Sequence, residues 1–140
     1  PARQIGHPLS GKVIALLEDQ RPVLESLRAL FEALGAAVIA GESEVEFLAE
    51  TSKLERAPDL FIMDFMIQRD VLASRCLTLL RQRFGYSNVR ALILTGNPSH
   101  PELRNVFGVP VVEKPLSEQA LKKIIAALLG QIPWDSSAFA

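Results

Sequence analysis

Four short apolar runs, each closing on polar residues, set the frame of this chain. Lys12 to Leu17 leads into Glu18-Asp19, and Asp59 to Met63 leads into Asp64. Val89 to Leu94 leads into Thr95-Gly96, and Val109 to Val112 into Glu113-Lys114-Pro115. Runs this short, with so few polar positions, fit strands buried on both faces of a parallel sheet. Ala36 to Ala40 reads as one further, brief strand. Between the runs the pattern changes to spacings of three and four. Val23, Leu27, Leu30, Phe31 and Leu34 mark a first helix, with Pro22 in its first turn and Gly35 as its left-handed stop. Ser43 and Glu46 form a capping-box pattern for a second helix, with Val45, Leu48 and Ala49 turned inward. Phe65 to Arg69 reads as a loop. Leu72, Cys76, Leu79 and Leu80 then line a third helix that stops near Gly85. Asn97 to Phe107, interrupted by Pro98 and Pro101, supports only a short fourth helix. Ser117 caps the last, with Leu121, Ile124, Ile125 and Leu128 inward and Gly130 as its stop.

Strands alternating with helices predict an α/β fold, a flavodoxin-like doubly wound five-stranded parallel sheet of order 2-1-3-4-5 with five helices. In such sheets ligands bind beyond the carboxyl ends of the strands, where the winding reverses between strands one and three. Glu18, Asp19 and Asp64 would all meet at that point. The folded domain is expected over residues 12–130, with 1–11 as a linker or tail and 131–140 as a C-terminal tail.

Composition narrows the classes. The chain has 140 residues, 49% of them hydrophobic and 22% charged, as in an ordinary soluble domain. A formal net charge of -1 leaves no domain-wide basic field for a nucleic-acid backbone. No stretch is long and apolar enough to span a bilayer and no signal peptide opens the chain, so no membrane contact is expected. The single cysteine, Cys76, has no internal partner, which fits a reducing cytoplasm. The first residue is Pro1, so either an initiator was removed or the sequence is a piece of a longer protein.

Three carboxylates gathered in one cleft repel each other and stay ionised only beside a cation. An all-oxygen set with room for water and phosphate suits Mg2+, and the lack of cysteine or histidine in the set argues against zinc. The ordered series of acid pair, single aspartate, hydroxyl and Lys-Pro, each closing a hydrophobic strand, resembles the receiver domain of two-component response regulators. The resemblance spans roughly residues 12–130.

That resemblance implies roles. Asp64 would be the phosphoacceptor, taking a phosphoryl group from phosphohistidine on a histidine kinase or a histidine phosphotransfer domain. Glu18 and Asp19 would hold Mg2+ together with Asp64 and the backbone carbonyl of Met66. Thr95 and Lys114 would each contact a phosphoryl oxygen, and the Lys114-Pro115 peptide would be cis. The switch pair would be Thr95 and an aromatic three residues before the lysine, where this chain has Val111. The segment Phe65-Met66-Ile67-Gln68-Arg69-Asp70 also lacks the proline and glycine common there. Three settings fit: the terminal receiver of a hybrid sensor histidine kinase, a stand-alone relay protein, or a fragment of a longer regulator. The run Leu92 to Asn97 and the opening proline-containing segment favour the hybrid kinase, and a homodimer is compatible with all three.

Plainer readings apply elsewhere. Asp59 is expected as a cap or turn acid and Asp70 as the start of the third helix. Cys76 belongs to the core, His7 and His100 to solvent, and Arg81, Arg83, Arg90 and Arg104 to the charged surface. The alternative function is a receiver-like interaction module that never carries phosphate. A flavodoxin-type cofactor binder would need a phosphate-cradling loop where Glu18-Asp19-Gln20 stands.

Overall fold

Leu60, Phe61, Ile62, Met63 and Asp64 are all buried, and they form the central strand of the sheet. In this computed structural model the described residues are 7–68, 71–106 and 108–130. In chain order the elements begin β1 (Val13–Leu17), α1 (Arg21–Ala33), β2 (Ala37–Gly41), α2 (Glu44–Ser52) and β3 (Leu60–Asp64). There follow β4 (Met66–Gln68), β5 (Val71–Leu72), α3 (Ala73–Phe84), β6 (Ala91–Thr95), β7 (Val111–Glu113) and α4 (Glu118–Leu128). Two short 3-10 segments cover Tyr86–Asn88 and Pro101–Asn105.

The main sheet is parallel with order β2-β1-β3-β6-β7, so the expected winding 2-1-3-4-5 is present. Its two faces carry separate cores, because alternate residues of a strand point to opposite sides. Ile14, Leu16, Leu60, Ile62 and Leu92 pack with α1 and α4 on one face. Ala15, Leu17, Phe61, Met63 and Ile93 pack with α2 and α3 on the other. The chain winds from β1 through β2 on one side and returns through β3 on the other, which opens the crevice between β1 and β3.

Several expectations need correction. The second helix does not bury Val45 or Ala49: Val45 is 79% exposed, and Phe47 and Thr51 face inward instead. The aromatic ring has the largest apolar area to hide, and it decides the rotation of a helix this short. In α1 Phe31 is buried with Leu27, Leu30 and Leu34 packed against the same core, as expected, but Leu24 takes the inward place and Val23 lies at the surface. In α3 Leu77 replaces Leu79 on the buried face, because a start at Ala73 aligns Ala73, Cys76, Leu77 and Leu80. The fourth helix is the 3-10 segment Pro101–Asn105, so four α-helices are present among the described residues. The stretch after Asp64 is not a loop but an antiparallel hairpin of β4 and β5. Phe65 and Ile67 are buried there while Met66 is partly exposed, the alternation of a strand.

Other local signals act as expected. Ser43 Oγ accepts the Glu46 N–H at 3.1 Å, while the Glu46 carboxylate accepts the N–H of Glu42, one residue before the cap. Ser117 caps α4 by accepting the Ala120 N–H at 3.0 Å. Residues 7–11, read from sequence as part of a linker or tail, form a turn that packs on the fold, with Leu9 buried and its N–H donating to Leu34 O at 2.8 Å. Asp59 is a turn acid whose Oδ2 accepts the Val13 N–H at 2.7 Å. Asp70 lies outside the described residues. No helix among them is long and apolar enough to cross a membrane.

Candidate functional site

Strand register places the polar residues together. Leu17 pairs with Met63, Asp64 with Leu94, and Thr95 with Glu113, so four adjacent strand ends finish at one level. Glu18, Asp64, Thr95 and Lys114 emerge there, at the carboxyl edge above the crevice. The backbone locks this edge: Glu18 N–H donates to Gly41 O at 3.2 Å and Lys114 N–H to Thr95 O at 2.7 Å. The Lys114-Pro115 peptide is cis.

Glu18, Asp19 and Asp64 each offer a carboxylate oxygen within 4.8 Å of the others. Glu18 is 1% exposed and Asp64 8% exposed, while Asp19 is half-buried. Lys114 Nζ lies 2.7 Å from Asp64 Oδ1 and 3.6 Å from Glu18 Oε1. Glu18 Oε2 accepts the Gln20 N–H at 3.0 Å, which fixes that carboxylate from below. Thr95, 3% exposed, uses its Oγ1 to accept the Asn97 N–H at 3.0 Å. Its hydroxyl proton is left to donate elsewhere.

Burial and the lysine act on these acids in opposite directions. Loss of solvent raises the carboxyl of Asp64 above its ordinary range, and the hydrogen bond and charge of Lys114 only partly offset it. Glu18 is raised for the same reason, with Asp64 adding repulsion, while the Gln20 amide and Lys114 pull it back. Burial alone would lower Lys114, but the bond to Asp64 and the charges of Asp64 and Glu18 outweigh it and hold the ammonium above its usual value.

Three carboxylates therefore face one ammonium, a shortfall of two positive charges in a mostly buried corner. One divalent cation would supply that charge. The donor set is oxygen only, which fits Mg2+ and not a soft metal. The residues present fit such an ion.

The site opens into a cleft of about 660 Å³ whose other wall is apolar, formed by Val23, Leu27, Leu94, Leu116 and Leu121. Met66 sits on its rim as the first residue of β4. Val111 is half-buried in β7, opposite Ile93, and packs with the α2–α3 face. No aromatic stands at that position.

The residues expected from sequence thus converge, apart from Val111, which lies on the far side of β6. The amide partners Gln20 and Asn97 were not anticipated. The i to i+2 spacing from an acid or hydroxyl to a following amide is the signal that marks them. His100, expected in solvent, is half-buried with its ring against Phe65, the residue after the central aspartate. Cys76 is a core residue whose thiol burial pushes up to about 12.

No family model matches the chain, and no curated protein matches it. Solved structures do. A response regulator receiver domain protein from Clostridium thermocellum superposes with a TM-score of 0.71 at 21% identity, covering 86% of this chain and 95% of that one. The signal receiver domain of an HD domain-containing protein from Pseudomonas fluorescens Pf-5 gives 0.73 at 19% identity, covering 86% and 95%. A CheY-like receiver domain protein from Methanospirillum hungatei JF-1 gives 0.72 at 19% identity, covering 86% and 94%. The chain therefore has the fold of response regulator receiver domains, with Glu18, Asp19 and Asp64 gathered in one cluster that could hold a metal ion.

Proposed function

We propose that residues 12–130 form a phosphoacceptor receiver domain of two-component phosphorelay signalling, with Asp64 as the acceptor. The observation that carries the reading is the Asp64 carboxylate, held 2.7 Å from the Lys114 ammonium between two further acids and beside a buried threonine. A carboxylate is a poor nucleophile in water, so alignment and charge neutralisation supply the rate.

An Asp64 oxygen attacks the phosphorus of a phosphohistidine on a kinase or phosphotransfer domain. The P–N bond breaks and its electron pair returns to the ring nitrogen. The other ring nitrogen keeps its proton, so histidine leaves neutral and Asp64 becomes an acyl phosphate. Lys114 pairs with Asp64 before transfer and meets a phosphoryl oxygen after it. Thr95, whose acceptor side is occupied by the Asn97 amide, turns its hydroxyl proton to another oxygen. A Mg2+ ion held by Glu18, Asp19, Asp64 and the Met66 carbonyl would neutralise charge on the transferred group.

The setting we favour is a hybrid sensor histidine kinase in the cytoplasm, supported by the sequence around Leu92 to Asn97. A second reading, a receiver-like module that binds partners without phosphate, draws on Val111 in place of a switch aromatic. Intact mass after incubation with acetyl phosphate and Mg2+ separates them. One added phosphoryl mass that requires Mg2+ and is absent in Asp64→Asn supports the phosphoacceptor. No adduct, with a control receiver reacting alongside, leaves the phosphate-independent module.

A further inference from the structure

At the amino-terminal edge of the sheet the chain closes a second concavity, of about 530 Å³. Three elements meet there: the loop 53–59 between α2 and β3, the last turn of α3, and the turn that leads into β6. They bring Arg56, Arg83 and Arg90 respectively. The five residues of β3, about 16 Å of strand, separate this place from Asp64. The two clefts share no residue.

Elsewhere on the surface cations find carboxylates. Arg21, Arg28, Lys53, Arg75 and Lys122 each pair with a glutamate. Arg56, Arg83 and Arg90 make no ion pair among the described residues, although Glu55 and Asp59 line the same concavity. Asp59 is engaged with β1: its Oδ2 accepts the Val13 N–H at 2.7 Å, and its own N–H donates to Val13 O at 2.8 Å. Glu55 is exposed and pairs with none of the three arginines. Arg83 is held in place, because its Nη2 donates to Leu54 O at 2.7 Å and its guanidinium lies 4.5 Å from the Phe84 ring centroid. Those contacts aim the group without neutralising it, since neither a carbonyl nor a ring carries net charge. The side chains of Arg56 and Arg90 make no hydrogen bond among the described residues.

A guanidinium is a planar fork that stays charged and matches phosphate or carboxylate oxygens in pairs. Three forks on three separate elements exceed what one carboxylate, with two oxygens and a single charge, can satisfy. A phosphate group offers more of both. Three arginines against Glu55 and Asp59 leave one net positive charge, so diffuse attraction is weak and direct guanidinium bonds must select the anion. The volume falls within the usual range of small-molecule sites, about 300–1,000 Å³, and leaves room beyond one phosphate. We infer that Arg56, Arg83 and Arg90 form a binding site for a small molecule carrying a diphosphate, at the end of the sheet remote from Asp64. Arg83 is set beforehand, and Arg56 and Arg90 bond the ligand from the loop and the turn beside it. The site stands apart from the phosphoacceptor reading and does not depend on it.

Amide shifts followed through a titration with sodium pyrophosphate, without Mg2+ and at constant ionic strength, test the site. Arg56, Ala57, Ser87, Asn88 and Arg90 should move together and saturate. Arg56→Gln and Arg90→Gln remove no bond of the fold, so both should stay folded and each should raise the half-saturation point about tenfold. Arg90→Lys, which keeps the charge and loses the fork, should recover only part of the affinity. A parallel titration with adenosine diphosphate separates two sources of the same group. Tighter binding than pyrophosphate assigns a nucleoside diphosphate, and equal or weaker binding a free one. Absence of saturation, an unchanged half-saturation point in both glutamine variants, or movement that sodium chloride alone reproduces overturns the site. So does a response confined to the Lys114 end of the sheet, which would put the anion at the acid cluster instead.

Discussion

Lys114 Nζ lies 2.7 Å from Asp64 Oδ1, joining the end of the central strand to the residue that follows the edge strand. The same lysine is tied through its N–H to Thr95 O, so its ammonium is aimed by the backbone.

Removing that ammonium should slow phosphorylation without unfolding the domain. Lys114→Ala is expected to lower the rate of adduct formation from acetyl phosphate by about 100-fold, the usual loss of one charge-stabilising group. Lys114→Arg should recover only part of it, since a planar fork replaces a compact point charge. Timed intact-mass measurements give the rates, and an unchanged rate in Lys114→Ala would remove the lysine from the mechanism.

The acid cluster also predicts a pH dependence of stability. Burial raises Asp64 and Glu18, so the folded protein holds these protons more tightly than the unfolded chain. Their contribution favours folding below the ordinary carboxylate range, about pH 4, and is lost as pH rises through the raised folded values. At neutral pH the ionised acids therefore weigh against the fold. Asp64→Asn should melt higher than wild type at pH 7, with the difference shrinking toward acid pH. Mg2+ at about 100 times its dissociation constant should stabilise the wild type by about 2.7 kcal/mol and the variant by far less. Thermal scans at two pH values, with and without Mg2+, test both signs, and a variant that melts lower at pH 7 would contradict the account.

Gly41 ends β2 with its carbonyl on the Glu18 amide, and a Cβ there would lie 2.7 Å from the backbone N and Cα of Phe47. Gly41→Ala must push α2 away from the sheet, at about 1–3 kcal/mol by analogy with overpacked cores. Denaturant melts measure the loss. A neutral substitution would mean that α2 slides without resistance.

Cys76 is fully buried, and burial, with the nearby Glu44 carboxylate, pushes its thiol up to about 12. The folded protein should leave an aromatic disulfide reagent unreacted at pH 8 and react only once denatured. Rapid labelling of the native state would show that the α3 face opens readily.

The inner strands β1, β3 and β6 were legible because doubly buried runs such as Leu60 to Met63 leave almost no polar position to confuse them. The site followed from the strands, since Glu18, Asp64, Thr95 and Lys114 each close one. What escaped depends on tertiary choice. The rotation of α2 was set by Phe47 finding the space beside Gly41, not by the spacing of Val45 and Ala49. The His100–Phe65 contact joins two segments with no shared period, so no local pattern could announce it. The β4–β5 hairpin did leave a trace, Phe65 and Ile67 inward around Met66, but over too few residues to outweigh a loop reading.

That hairpin has a consequence for how this chain tolerates change. In β4 and β5 the path after Asp64 is held by main-chain pairing, Met66 with Leu72 and Gln68 with Val71, and by the Ala73 amide on the Phe65 carbonyl. Main-chain bonds do not depend on which side chains they carry. Substitutions at exposed positions of the segment, such as Met66, should therefore leave its ends in place. Phe65 and Ile67, whose side chains enter the core, and Leu72, which packs against it, are bound to stay apolar. Here the path of the chain is set by the backbone and not by its letters.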